Sequence, residues 1–186
     1  MKPKLTIVTG NTLKFQELSV ALGEFFDCEQ KVLKGYSEIQ GKPEEILRHK
    51  LEAAYREFQE PVLVDDTSLH FETLNGFPGP YIKDFLECFS PYQMGMKFVG
   101  TRVSLACRLG LYTGVDKPTI GIGIIAGDVV EPKPIDPGLR EFDLFIKADG
   151  TDKVMLEFTI EEKNTFSHRG LAIKNLLEQL KKQNNI

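Results

Sequence analysis

The sequence predicts an α/β fold with a mixed sheet, and three observations carry that reading. Short β-rich apolar runs alternate with helical repeats: residues 5–8 are followed by Phe15, Leu18 and Leu22 at helical spacing. The connections in this half are short strand-to-helix crossovers, as in parallel pairing. Further on, Val103, Leu105, Cys107, Leu109 and Leu111 alternate along one strand face, residues 114–118 form a turn, and Ile120, Ile122 and Ile124 alternate again. That pattern is a long antiparallel hairpin, so both pairing modes share one sheet.

Taken in order, the first unit is a strand at residues 5–8, a turn at Thr9-Gly10-Asn11, and a helix whose C′ position falls on Gly23. A second strand covers residues 28–33. Lys42-Pro43-Glu44-Glu45 starts the next helix, with proline in the first turn and acids at the positive dipole end. Leu47, Leu51, Ala54 and Phe58 continue that helix on one face. A strand at residues 61–64 runs straight into Asp65-Asp66-Thr67. Pro78-Gly79-Pro80 breaks the chain ahead of a helix over 82–89, after which comes the hairpin. Beyond a proline-rich loop at 131–138, residues 141–146 form a short strand and Ala148-Asp149-Gly150 a turn. Ile173, Leu176, Leu177 and Leu180 mark a last helix, with Lys181 and Lys182 at its negative end.

Composition narrows the function. The chain has 186 residues, with 27 acidic against 23 basic side chains and a net charge of −4. No basic stripe is available to neutralise phosphates along a nucleic acid, so nucleic-acid binding is not expected. A chain of this length buries roughly 70% of its unfolded surface, enough for a single domain over residues 1–186 without disulfide or metal staples. Cys28, Cys88 and Cys107 are widely spaced and read as small buried hydrophobes in a reducing compartment. The opening residues carry too short an apolar run for a signal peptide, and the most apolar stretch, 120–130, is broken by glycines and Asp128. The expectation is a cytoplasmic protein with no membrane partner.

Four segments can do chemistry. Thr9-Gly10-Asn11-Thr12-Leu13-Lys14 joins a strand to a helix N-terminus, presenting free N–H groups to an anion with Lys14 in the first turn. The P-loop spacing is missing, and a capped helix with a surface lysine is the other reading. Asp65-Asp66 at a strand end can hold Mg²⁺ or orient water, with Glu38 supplying a second oxygen; a turn cap before Ser68 is the alternative. Lys83 follows the rigid Gly76-to-Tyr81 turn. Glu162-Lys163-Asn164 and Ser167-His168-Arg169 gather cations at the start of the last helix, where they oppose the dipole and call for a compensating anion, or form a solvated helix start. Gly121-Ile122-Gly123 with Gly127 lacks a dinucleotide fingerprint, and His49 and His70 read as structural histidines.

These pieces together resemble the inosine triphosphate pyrophosphatase family. The runs VTGNTLK (8–14), SEIQGKPEEI (37–46), PVLVDDTSL (61–69), GFPGPYIKDFLE (76–87) and EEKNTFSHR (161–169) come in that family's order and spacing over nearly the whole chain. The resemblance implies an elongated mixed sheet with flanking helices in two lobes around a central cleft, a homodimer, and Mg²⁺-dependent hydrolysis of a nucleoside triphosphate to monophosphate and pyrophosphate. It implies that residues 9–14 form the phosphate loop, with Asn11 and Lys14 on the triphosphate, and that Glu38 and Asp66 bind metal. It further implies that Asp66 orients or deprotonates the attacking water, that Lys50, Thr67 and Lys83 contact substrate, and that Lys163, His168 and Arg169 lie at the base. Mg²⁺, Lys14 and Lys83 would then neutralise the departing pyrophosphate.

One segment departs from the family pattern. Where the family has Phe-Gly-Trp-Asp, this chain reads Arg140-Glu141-Phe142-Asp143. The acid and one ring are kept, while an arginine plane replaces the ring expected to stack on the base. The resemblance implies substrates carrying deaminated purines; the departure leaves a changed base preference, or a nucleotide-binding protein without turnover, as the competing expectations.

Overall fold

Leu5, Ile7 and Val8 are almost fully buried because their strand has a neighbour on each side. In the computed structural model, which describes residues 1–115, 117–133 and 142–183, β1 (Lys4–Val8) leads into α1 (Thr12–Leu22) and β2 (Asp27–Lys31). Next come α2 (Pro43–Phe58), β3 (Val62–Phe71), the short β4 (Pro78–Gly79), α3 (Ile82–Cys88) and α4 (Pro91–Phe98). The hairpin is β5 (Arg102–Tyr112) and β6 (Thr119–Val129), followed by β7 (Ile146–Ala148), α5 (Ile160–Phe166) and α6 (His168–Lys182). The described strands form one sheet in the order β2-β1-β3-β5-β6-β7, with β4 on β3. β1 runs parallel to β2 and β3, and the other pairs are antiparallel, so the sheet is mixed as expected.

One difference from the sequence expectation places the site. The strand expected to stop at residue 64 continues to Phe71, so Asp65 and Asp66 lie inside a strand and do not cap a turn. β1 bonds β3 only over Val62–Val64, whereas β5 bonds it along its whole length. The ladder to β5 keeps the chain extended after β1 has ended. The two aspartates are therefore the first residues of β3 past the C-terminal end of β1, where open α/β sheets hold ligands.

Helices cover the sheet on both faces. α1 and α6 pack on one side through Leu18, Leu22, Ala172, Ile173 and Leu176 against Leu5, Ile7, Leu63, Cys107 and Leu109. Farther along that side, Met94 and Phe98 of α4 join Leu69, Phe71, Leu105 and Phe145. α2 covers the opposite face, with Leu47, Leu51 and Ala54 on Val8, Val62 and Val64. β6 meets α6 through glycines. A Cβ on Gly121 would collide with the Ala172 carbonyl, and one on Gly123 with the His168 carbonyl and the Ala172 nitrogen. The alternating Ile122 and Ile124 consequently face outward and are exposed.

Smaller corrections have local causes. Residues 142–144 form a 3₁₀ turn in place of the expected strand over 141–146, and β7 begins only at Ile146, where its ladder with β6 starts. Gly23 caps α1 in the right-handed region, not as a left-handed C′ residue. α4 is an addition to the expected elements, and Ser90-Pro91-Tyr92-Gln93 carries its capping signature: the Ser90 hydroxyl accepts from Gln93 N at 3.2 Å, and the Gln93 side chain accepts from Ser90 N at 2.9 Å. Cys107 is buried as expected, but Cys28 is half-buried and Cys88 exposed. Among the described residues, no helix is long and apolar enough to cross a membrane.

Candidate active site

The loop after β1 is held from several directions. Asn11 caps α1, its side chain accepting from Lys14 N at 3.1 Å, while Asn11 N donates to the Thr9 hydroxyl at 3.2 Å and Gln30 Nε2 donates to Thr9 O at 3.0 Å. Around Gly10 the space is open, with nothing within 4 Å of where a Cβ would stand. No acidic residue occupies the first turn of α1, so its positive end is unopposed. Lys14 reaches over this loop to β3, donating to Asp65 Oδ2 at 2.7 Å and to the Thr67 hydroxyl at 3.3 Å.

Strand alternation sends Asp65 and Asp66 to opposite faces. Asp65 meets Lys14 and, at 3.9 Å, the Arg169 guanidinium. Burial alone would raise its carboxyl, but Lys14, Arg169 and Lys50 overrule that and hold it far below the usual carboxylate range. Asp66 faces the α2 side, where Lys50 Nζ donates to Asp65 O at 2.9 Å and lies 3.6 Å from the Glu38 carboxylate. Burial pushes Asp66 up to about 6, with Glu38 and Asp65 adding to the shift and Lys50 and Lys14 opposing it. Its Oδ2 is buried and has no hydrogen-bond partner among the described residues.

That orphaned oxygen bears on metal binding. Among the described residues no cluster of three or more His, Cys, Asp or Glu could form a protein-only cage. Mg²⁺ needs none, because it keeps several waters and uses one or two carboxylates plus substrate phosphates. Glu38 and Asp66 fit that requirement, and a cation between them would relieve the charge that burial penalises.

On the other face, two capped helices deliver the remaining groups. The Thr159 hydroxyl accepts from Glu162 N at 3.2 Å to start α5, and the Ser167 hydroxyl accepts from Gly170 N at 3.1 Å to start α6. α5 presents Lys163, which donates to Asp143 Oδ2 at 2.6 Å and pairs with Glu17; Arg169 in the first turn of α6 pairs with the same Glu17. Part of the anion that these cations called for is thus internal. Burial works to raise Glu17, but Arg169 and Lys163 hold it below its ordinary value. His168 is buried with neither ring nitrogen bonded among the described residues, and its ring centroid lies 6.4 Å from that of Phe142. Burial, with Arg169, Lys14 and Lys163 nearby, keeps this ring well below the usual histidine range, hence neutral.

The charged groups of both faces border one cavity of about 450 Å³. It gathers Thr9, Gly10, Asn11, Leu13, Lys14, Glu38, Lys50, Asp66, Thr67, Phe142, Asp143, Lys163, His168 and Arg169, with Lys83 from the first turn of α3 across the cleft. Thr12 opens α1 but is exposed and does not line the cavity. Arg140 and Glu141 lie outside the described residues. Among the polar lining residues, the sequence does not reveal Asp65 as a partner of Lys14, Tyr36, or Glu17. Glu17 carried a signal, being an acid one turn after Lys14 and next to Leu18 on the buried stripe of α1.

The likeness to known proteins extends over the same residues. The Ham1 family model matches residues 5–179. The inosine triphosphate pyrophosphatase of Schizosaccharomyces pombe is 34% identical over 185 residues, 97% of each chain. Two solved structures share the fold. A HAM1 protein from Coxiella burnetii superposes with a TM-score of 0.78 at 20% identity, covering 97% of this chain and 99% of that one. The Staphylococcus aureus Ham1 protein gives 0.68 at 21%, covering 97% and 100%. With the family model spanning nearly the whole sequence and a relative one-third identical from end to end, this chain belongs to the Ham1 family.

Proposed function

We propose that this protein hydrolyses nucleoside triphosphates bearing deaminated purines (ITP, dITP, XTP) to the monophosphate and pyrophosphate, removing them from the nucleotide pool. The observation that carries the reading is one cleft joining a helix start with no acid in its first turn, the carboxylates Glu38 and Asp66, and a buried polar cluster around Asp143, Lys163 and His168. In this reading the N–H groups of residues 9–14 and the Lys14 ammonium take the triphosphate. Lys83 reaches the departing pyrophosphate from the far wall, and Lys50 and Thr67 hold the phosphates between them. Bound Mg²⁺, held by Glu38 and Asp66, supplies charge neutralisation for a loose phosphoryl transition state. Asp66, whose carboxylate a bound cation would keep ionised, orients the attacking water and accepts its proton.

At the other end, Lys163 and Arg169 are fixed donors and His168 is a neutral ring with a donor and an acceptor nitrogen. Donors facing the purine 6-position donate to a keto oxygen and leave the amino group of adenine unpaired, which discriminates strongly. Phe142 and Asp143 close that side, and Arg140 and Glu141 precede them in sequence. We place the active protein in the cytoplasm as a homodimer of single-domain chains.

The test is product analysis of the purified protein with Mg²⁺ and ITP, XTP, GTP, ATP, dUTP and CTP. Monophosphate plus pyrophosphate, fastest from ITP or XTP, is the expected result. Fastest cleavage of another triphosphate would keep the chemistry and reassign the base preference to residues 140–143. Binding without turnover of any of them would overturn the enzyme reading.

A further inference from the structure

Glu38 sits on the segment of residues 32–42 that joins β2 to α2, which forms neither strand nor helix. Two consecutive residues of α2 reach out to it. Lys50 stands 3.6 Å from the Glu38 carboxylate, and His49 Nδ1 lies 3.1 Å from the Tyr36 hydroxyl, with the two rings 5.6 Å apart and tilted by 33°. The lysine contact is a loose fixture for Glu38, because at 3.6 Å it is longer than a hydrogen bond and Lys50 also donates to Asp65 O at 2.9 Å. Tyr36 is stiffer, having two side-chain torsions, and its ring is fixed by both packing and a hydrogen bond. It borders the cavity beside Val32 and Leu33, two residues ahead of Glu38.

We infer that the Tyr36–His49 pair is a clasp that positions Glu38 for the cation, locking residues 36–38 to α2 so that the Glu38 carboxylate stays opposite Asp66. The inference rests on the proposal that Glu38 and Asp66 hold the metal. Tyr36 is a positioning residue and acts through Glu38. Its hydroxyl donates to Nδ1 when the imidazole carries its proton on Nε2. Groups that orient a metal ligand set affinity for the metal, and not affinity for the rest of the substrate.

The experiment is calorimetric titration of Mg²⁺ into the full chain with α,β-methylene-ITP bound, in wild type, Glu38→Gln, Tyr36→Phe, His49→Ala and His49→Gln. Tyr36→Phe and His49→Ala should weaken Mg²⁺ binding about tenfold while analogue affinity at saturating Mg²⁺ moves less than about twofold. His49→Gln should restore Mg²⁺ binding, since its amide oxygen can accept from Tyr36. Wild-type Mg²⁺ affinity in Tyr36→Phe, with Glu38→Gln weakened, overturns the clasp and leaves the metal site standing. Wild-type affinity in Glu38→Gln itself removes the metal role of Glu38, and the clasp with it. Equal loss of Mg²⁺ and analogue affinity with a lowered Tm would show a pair that holds the fold alone.

Discussion

Asp66 and His168 are both buried where the charged form is penalised, and each makes a separable prediction. Asp66 Oδ2 has no bond to lose, and its charge is opposed by burial, Glu38 and Asp65. Asp66→Asn should therefore keep the wild-type Tm or raise it, while turnover of ITP falls by about 10²–10⁴-fold, the range for a positioned base. A folded Asp66→Asn enzyme with near-normal kcat would remove the assigned role. His168 is held neutral, with burial, Arg169, Lys14 and Lys163 against its protonation and Asp65 in favour. The unfolded chain takes up this proton near the ordinary value of 6.5 and the folded chain does so only at lower pH. Stability from His168 is thus complete above that value and drains away as pH falls from it toward the depressed folded pKa. Glu17 acts in a lower window, since its shift begins from 4.5. Asp66, raised to about 6, works the other way in the same window, because the folded chain takes up its proton first and gains stability as pH falls. Between about pH 7.5 and 5, Tm of wild type should therefore drop relative to that of His168→Gln; parallel curves would show that His168 carries no acid sensitivity.

The contact of β6 with α6 decides where His168 and Arg169 stand, and glycine makes it possible. A side chain at Gly123 would strike the backbone of His168 and Ala172, so Gly123→Ala must push the start of α6 away from the sheet. The expected loss is about 1–3 kcal/mol of stability, the usual result of overpacking, together with a raised KM for ITP. Gly10→Ala is the contrast, because its Cβ enters open space: Tm should hold while KM rises, since the loop N–H groups need close approach to phosphate. An unchanged Tm in Gly123→Ala would show that α6 has room to move. The same strand explains what periodicity could and could not reveal. Alternation at Val103 to Leu111 found a buried face, and the α2 and α6 stripes found theirs. On β6, alternation picked out isoleucines that point outward, because the inward positions had to be glycine. The end of β3 was misread for a related reason: an apolar run marks burial, while pairing with β5, a long-range contact, set the strand's length.

Across the molecule, the proposed function gives the cleft two ends with different tasks. In the proposed function, Asp66, Glu38, Lys50 and Lys83 serve the phosphates, whereas Glu17, Asp143, Lys163, His168 and Arg169 form an ion-paired wall for the base. Residues in short motifs, such as Asp65-Asp66 and Ser167-His168-Arg169, were legible in sequence because local spacing carries them. Glu17 and Tyr36 were not, since each matters through a partner far along the chain: Glu17 through Lys163 and Arg169, Tyr36 through His49. The division predicts how variants sort. Lys83 is exposed and its loss unfolds nothing, so Lys83→Ala should lower kcat/KM by roughly 10–100-fold, the value of a charge-assisted hydrogen bond, and by the same factor for ITP, XTP, GTP and ATP. His168→Gln changes donors at the base end alone and should alter the ITP-to-ATP ratio of kcat/KM more than it alters the rate with ITP. Measuring both variants against all four triphosphates checks this. If Lys83→Ala changes the ratios, or His168→Gln lowers every substrate alike, phosphate and base recognition are coupled through β3, and selectivity then belongs to the whole cleft.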